Sequence, residues 1–337
     1  MLGHGDQKNR HSPCLIQAVA HIVMADVDCG SNHSLCVAAE GTVFSWGSNR
    51  HGKLGHGYVP PTTTRPGGMG AFSNQTSRGM LTTRPATERA TASDKFTPTR
   101  IEGMGGTPAK AVACGEHHSA CISQDGQVFT WGDGTFGKLG HDSIESEGTP
   151  RELANIMDKG GACQVALGKS HTMILCISGE LLACGDGTYG QLGVGGDDGE
   201  MVRDRRRPTP IEALTGQSIK HVACGETFTA AVSSTGALMW WGGWKNTGLH
   251  SSALGNDLAV IWNPAPVMEL HAKVATRVAC GPRHIMAVMS NGEVYSWGSA
   301  SSGRLGYGLG SNSRFQPGPQ VRKTLIRRFP CTQLAYF

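Results

Sequence analysis

The sequence predicts an all-β protein, a β-propeller of at least five four-stranded blades, and two observations carry that prediction. Glycine supplies 48 of 337 residues, about twice its usual share of ~7%. Each glycine inside a helix costs roughly 1 kcal/mol relative to alanine, so this composition argues against helical bundles and for short strands joined by tight turns. The second observation is internal repetition, which decides the architecture. Five segments align without a gap: CGSNHSLCVAAEGTVFSWG from Cys29, CGEHHSACISQDGQVFTWG from Cys114, LGKSHTMILCISGELLACG from Leu167, CGETFTAAVSSTGALMWWG from Cys224 and CGPRHIMAVMSNGEVYSWG from Cys280.

The first strand of each unit closes on an apolar run and a glycine, as in Val112-Ala113-Cys114-Gly115. The second opens at His33, His118, His171, Phe228 or His284. A glycine 12 positions after the first residue (Gly41, Gly126, Gly179, Gly236, Gly292) marks a hairpin turn, since glycine accepts the positive φ such turns need. The third strand ends at Trp46, Trp131, Cys184, Trp241 or Trp297, and a leucine follows eight residues later (Leu54, Leu139, Leu192, Leu249, Leu305). A proline-led apolar segment, as in Pro98-Thr99-Arg100-Ile101, supplies the fourth strand. One such sheet cannot bury both faces, and sheets stacked radially bury each other.

The starts at 29, 114, 167, 224 and 280 lie 85, 53, 57 and 56 residues apart, so the first unit carries an insertion. Residues 58–96 are rich in threonine, proline and arginine and poor in large apolar groups. Such a segment cannot bury enough surface to offset its ordering entropy, and a disordered loop is expected. Its basic excess makes nucleic acid or chromatin a weak secondary contact, without the interleaved aromatics that single-strand binding favours. Leu2-Gly3-His4-Gly5 repeats Leu54-Gly55-His56-Gly57, and Gln333-Leu334-Ala335-Tyr336 lines up with Gln164-Val165-Ala166-Leu167. The chain 1–337 is therefore expected to be one propeller domain and a piece of a longer repeat protein.

These residues resemble the repeat of the regulator of chromosome condensation family: a Cys-Gly-x-x-His-Ser/Thr start, a Gly-x-Val-Tyr/Phe-x-Trp-Gly middle, and Gly-x-Leu-Gly after it. The resemblance covers nearly the whole chain outside the insertion and implies a propeller, usually a ring of seven blades, here incomplete. It does not fix the function, because this fold serves many ends. The fourth unit departs from the pattern, with Phe228 in place of the histidine and a crowded Trp240-Trp241-Gly242-Gly243-Trp244. An irregular loop is expected there.

Little supports chemistry carried by the chain itself, and no catalytic residue, cofactor or metal is assigned. A catalytic group is not needed four times at equivalent places, so His33, His118, His171 and His284 read as structural hydrogen-bonding residues. Cys29, Cys114, Cys224 and Cys280 sit on different blades without zinc-ligand spacing and read as small packing residues. The Gly-Asp-Gly-Thr stretches from Gly132 and Gly185 recur at one repeat position and read as turns rather than phosphate or calcium loops.

Recognition is what remains. In exchange-factor members of the resembled family, acidic and histidine residues between the opening glycine and the histidine face a Ran-type GTPase. In this sequence those positions hold Glu116 and His117, which suit that role, as does Glu226; Lys169 and Arg283 carry the opposite sign. These five are the candidate partner-binding residues. Photoreception, which the resemblance to the plant UV-B receptor would imply, is disfavoured because Ser31, Glu116, Lys169, Glu226 and Pro282 stand where that receptor carries tryptophans. The expected function is a non-catalytic protein-interaction platform. The alternatives are a guanine-nucleotide exchange factor for a Ran-like GTPase and the substrate-recruiting propeller of a HECT-type ubiquitin ligase. No apolar run approaches the ~20 residues that cross a bilayer, so no membrane partner is expected. The expected compartment is cytoplasmic or nuclear, with cysteines reduced.

Overall fold

The computed structural model describes residues 1–57, 94–195, 204–243, 260–306 and 315–321. They form five four-stranded antiparallel sheets, each a meander in chain order. The first comprises β1 (Met24–Cys29), β2 (His33–Ala38), β3 (Val43–Gly47) and β4 (Lys95–Arg100). The second comprises β5 (Ala109–Cys114), β6 (His118–Ser123), β7 (Val128–Gly132) and β8 (Glu147–Glu152). The third is β9 (Ala162–Leu167), β10 (His171–Cys176), β11 (Leu181–Gly185) and β12 (Arg205–Pro210). The fourth is β13 (Ile219–Cys224), β14 (Phe228–Ser233), β15 (Leu238–Gly242) and β16 (Ile261–Pro266), and the fifth β17 (Ala275–Gly281), β18 (His284–Met289), β19 (Val294–Ser299) and β20 (Phe315–Val321). Each sheet packs through its first two strands on the first strand of the next, so the described residues form an open array of propeller blades.

Each repeat core begins at the end of the first strand of a sheet and runs through its second and third strands. Of the segment 58–96 read as an insertion, residues 58–93 lie outside the described residues, and Lys95 and Phe96 belong to β4. The loop expected to be irregular in the fourth unit, 244–259, also lies outside them. Fourth strands carry prolines (Pro98, Pro150, Pro208, Pro264), which an outer edge tolerates because it has no further ladder to donate to.

The apolar core lies between sheets. Leu35, Val37 and Val43 of the first sheet meet Val112, Phe129 and Trp131 of the second. Ile122 and Val128 meet Val165, Ile174 and Leu182 of the third, and a larger cluster runs from Met173 through Trp241 to Trp297.

No continuous backbone ladder crosses from one sheet to the next; single backbone bonds such as Ala109 N to Gly41 O and Ala162 N to Gly126 O are supplemented by side chains. Asp28 accepts the amide of Cys114 at 2.7 Å and Asp26 that of Val112 at 3.1 Å. The Gln164 amide accepts from Val222 N and donates to Val222 O, imitating a ladder pair. The thiols of Cys114, Cys224 and Cys280 donate to Asp28 O, Ala166 O and Ala223 O. Cys29 departs from the buried-packing expectation and is exposed; among the described residues no sheet packs on its other side.

The repeated histidine fastens three of the four junctions. His33 Nε2 meets Ser119 Oγ at 2.9 Å, His118 meets Thr172 at 3.0 Å, and His171 meets Thr229 at 3.0 Å. Each hydroxyl donates its one proton to a carbonyl of the preceding sheet: Lys53 O, Lys138 O and Gln191 O. The hydroxyl must then accept from the imidazole, which fixes the Nε2–H tautomer. Trp131 Nε1 and Trp241 Nε1 donate to Lys53 O and Gln191 O as well. The ring lies over the glycine that opens the unit, and a methyl built on Gly115 would stand 2.5 Å from His118 Cε1. That close approach is why glycine and histidine recur together. The chain start does for the first sheet what Leu54–Gly57 does for the second: Gly5 N donates to Phe96 O as Gly57 N does to Gly148 O, both at 2.9 Å.

Candidate interaction face

In each sheet the turn from first to second strand and the connection from third to fourth lie at the same end, because the strands alternate in direction. The five candidate residues all sit at this end. Glu116 and His117 lie on the β5–β6 turn, Lys169 on β9–β10, Glu226 on β13–β14 and Arg283 on β17–β18. The structure brings them into one ribbon across four sheets. His117 Nε2 stands 3.3 Å from Glu116, Lys169 Nζ 3.8 Å from Glu116 and 2.9 Å from Glu226, and Arg283 Nε donates to Glu226 Oε2 at 3.0 Å.

The floor beneath this ribbon is rigid. Glu226 N donates to Pro282 O at 3.0 Å and Glu116 N to Gly168 O at 3.4 Å, so neighbouring turns are tied by backbone. Burial pushes the Glu226 carboxyl upward, but the bonds from Lys169 and Arg283 outweigh it and hold the group below the usual carboxylate range. The bond to Glu226 raises Lys169 in turn.

A second layer lies under the turns. Lys138, buried, donates to Asp133 at 2.6 Å and to Thr135 Oγ1 at 2.9 Å. Burial raises Asp133, yet the adjacent ammonium brings it down to about 2. Lys53 occupies the same place in the first unit, but Ser48 stands where Asp133 would be and Lys53 donates to Asn32 instead. Burial, helped by nearby Arg50, lowers Lys53 to about 8. His51 reaches over this lysine to His117, with ring centroids 5.7 Å apart. His51 and its repeat counterpart Phe136 both hold φ of 64° at the tips of their connections, and Phe136 is exposed.

Sequence reasoning missed this second layer and the tips. The signal was present in the residue before each repeat leucine (Lys53, Lys138, Gln191, Arg304) and in the Asp of Gly-Asp-Gly-Thr, but the partner of each is set by the fold of the connection. No cluster of three or more His, Cys, Asp or Glu side chains suited to a metal occurs among the described residues. None of their helices is long and apolar enough to cross a membrane.

Five radially stacked meanders, three of their four junctions fastened by histidine–hydroxyl bonds, with one face built from turns, define a repeat propeller. The description of the family model that matches is "RCC1-like domain", over residues 1–257 and again over 69–333. The chain belongs to this family, the same regulator of chromosome condensation repeat its motifs resemble. It is 32% identical over 311 residues to the human E3 ubiquitin-protein ligase HERC2, covering 91% of this chain and 6% of that protein. It is 30% identical over 316 residues to the Arabidopsis thaliana ultraviolet-B receptor UVR8, covering 93% of this chain and 62% of that protein. Among solved structures, human WBSCR16 matches with a TM-score of 0.67 at 21% identity, over 88% of this chain and 66% of that one. Saccharomyces cerevisiae Prp20p matches with a TM-score of 0.59 at 20% identity, over 96% and 83%. Those two show the shared fold.

Proposed function

We propose that this chain is a non-catalytic protein-interaction platform whose contact surface is the face carrying the turns. The observation that carries this reading is the ribbon from His117 to Arg283, which joins four separate sheets into one polar surface on a backbone-tied floor. A preorganised surface of this kind limits the ordering entropy of association. The solved structure of Prp20p, titled for its binding properties to Gsp1p and histones, supports protein partners for a propeller of this fold.

Exchange activity on a Ran-like GTPase is the second reading, favoured by Glu116, His117 and Glu226. It is the weaker one, because Glu226 is already held by Lys169 and Arg283 and offers little uncompensated negative charge to a cationic partner. Recruitment of ligase substrates is a third use. It would need a catalytic domain beyond the portion of HERC2 that this chain spans.

A photo-crosslinking amino acid placed at His117 or Phe136, and separately at Ile177 or Met268 on the opposite end of the sheets, tests the platform. Protein adducts in cells are expected from the first pair alone. Equal adducts from both ends, or none, would refute it. Added to a nucleotide-loaded Ran-like GTPase, the chain is expected to leave the release rate unchanged.

A further inference from the structure

We propose that Lys169 and Arg283, spread by Glu226, form a clamp that receives a carboxylate-bearing segment of a protein partner; this rests on the platform reading and names the chemistry of its contact. The sequence suggests a mixed face, with two acids and two bases spread over four turns. The structure orders those charges by height. Lys169 and Arg283 are 43% and 49% exposed, whereas Glu226 between them is only 22% exposed. Among the described residues of these turns, the more exposed charges over the third to fifth sheets are therefore cationic, and the Glu226 carboxylate is the more buried.

Glu226 divides its two oxygens, Oε1 to Lys169 at 2.9 Å and Oε2 to Arg283 Nε at 3.0 Å. That bond uses one edge of the guanidinium. Among the described residues the Nη1 and Nη2 atoms of Arg283 have no partner, and they provide the paired donors that match a carboxylate. Lys169 retains donors beyond Glu226, with Glu116 no nearer than 3.8 Å. The backbone bond from Glu226 N to Pro282 O fixes the spacing of the two turns. Arg304, half-buried on the connection that follows β19, adds positive charge beside the fifth sheet.

An acidic peptide fits this layer and a basic one does not. A nucleic acid would meet the same cations but would find, among the described residues, no row of stacking side chains between them. The test measures anisotropy of a fluorescein-labelled oligoglutamate, an oligolysine of equal length and a labelled single-stranded oligonucleotide, each with the full 337-residue chain. Oligoglutamate is expected to bind, with affinity falling as salt is added. The K169E/R283E variant is expected to lose about tenfold or more in affinity. E226Q removes the internal competitor and is expected to tighten binding several-fold. R100E, a charge reversal on the outer strand β4, is expected to stay within about twofold of the parent, which separates the clamp from net charge.

Preference for oligolysine, tighter binding of the oligonucleotide through the same two residues, or equal losses from R100E and K169E/R283E would each overturn the clamp. Cellular crosslinks from the turn face without oligoglutamate binding would overturn the clamp and leave the platform intact. Absence of crosslinks would overturn both.

Discussion

At the scale of single residues, the junction histidine couples folding to protons. Burial, reinforced by the charge of Lys53, drives His33 down to about 3, and burial drives His171 down to about 4. His118 is lowered well below its ordinary value for the same first reason. A histidine depressed in the folded state contributes stability that is present above its unfolded value near 6.5 and is lost as pH falls through the folded value. Asp28 runs the other way. Burial raises it to about 6, so its contribution is present below its unfolded value and lost as pH rises through about 6. Three histidines outweigh one aspartate, and the chain is expected to lose stability steadily from pH 6.5 toward 4. Urea melts across that range check it; in an H171F/T229I variant the slope should be shallower by up to about 1.4 kcal/mol per pH unit.

The Cys-Gly-x-x-His pattern and the need for glycine under an imidazole were legible, because both lie within one repeat. The hydroxyl that receives the histidine was not. It belongs to the next unit, one residue after that unit's own histidine, and only the stacking of sheets brings the two together.

At the scale of the sheet junction, the fourth unit shows what replaces the polar fastening. Phe228 takes the histidine position and Ile285 the hydroxyl position of the following sheet, and both are fully buried in one cluster. The two departures compensate each other, and of the two only Phe228 stood out in the sequence. Converting the third junction in the same way tests the pairing. H171F alone strands the Thr229 hydroxyl from its ring, and T229I alone leaves a buried imidazole without an acceptor. Each should lose about 2 to 3 kcal/mol, while the double variant should stay within about 1 kcal/mol of the parent. Gln191 O keeps its bond from Trp241 Nε1 throughout. A double-mutant cycle by chemical denaturation reads the coupling directly.

The connections from third to fourth strand carry a second pairing at this scale. Lys138 has Asp133, whereas Lys53 has only Asn32. S48D places a carboxylate where the second unit has one. It should raise stability by about 0.5 to 1.5 kcal/mol and return Lys53 toward an ordinary lysine. Thermal melts and NMR titration of the Lys53 Nζ check both effects.

At the scale of the whole molecule, the all-β propeller class was readable, because repetition registers each unit against the others. The ordering of charge by height on the turn face was not. It depends on how far neighbouring turns stand apart, which no single repeat encodes. The opposite signs of Lys169 and Arg283 on one side and Glu116 and Glu226 on the other were visible in the sequence, but their pairing into a ribbon was not. The internal stretches outside the described residues (58–93, 196–203, 244–259 and 307–314) all join a third strand to a fourth. By the strand limits, the third-to-fourth connections differ in length from sheet to sheet at the end that carries the ribbon, whereas the hairpin between second and third strands is four residues long each time.

The seams between sheets hold far fewer hydrogen bonds than the sheets themselves, and this bears on how the molecule answers to force. Within a sheet, strands are held by runs of backbone bonds. Between sheets apolar packing is joined by a handful of hydrogen bonds, such as those of Asp26 and Asp28, the single amide of Gln164 and the lone backbone bond from Ala109 N to Gly41 O. Tension applied to the chain ends would load those few points one after another rather than share itself across the array. Extension would proceed as a series of similar ruptures, each releasing one repeat's length of chain while the sheets beyond it stay intact.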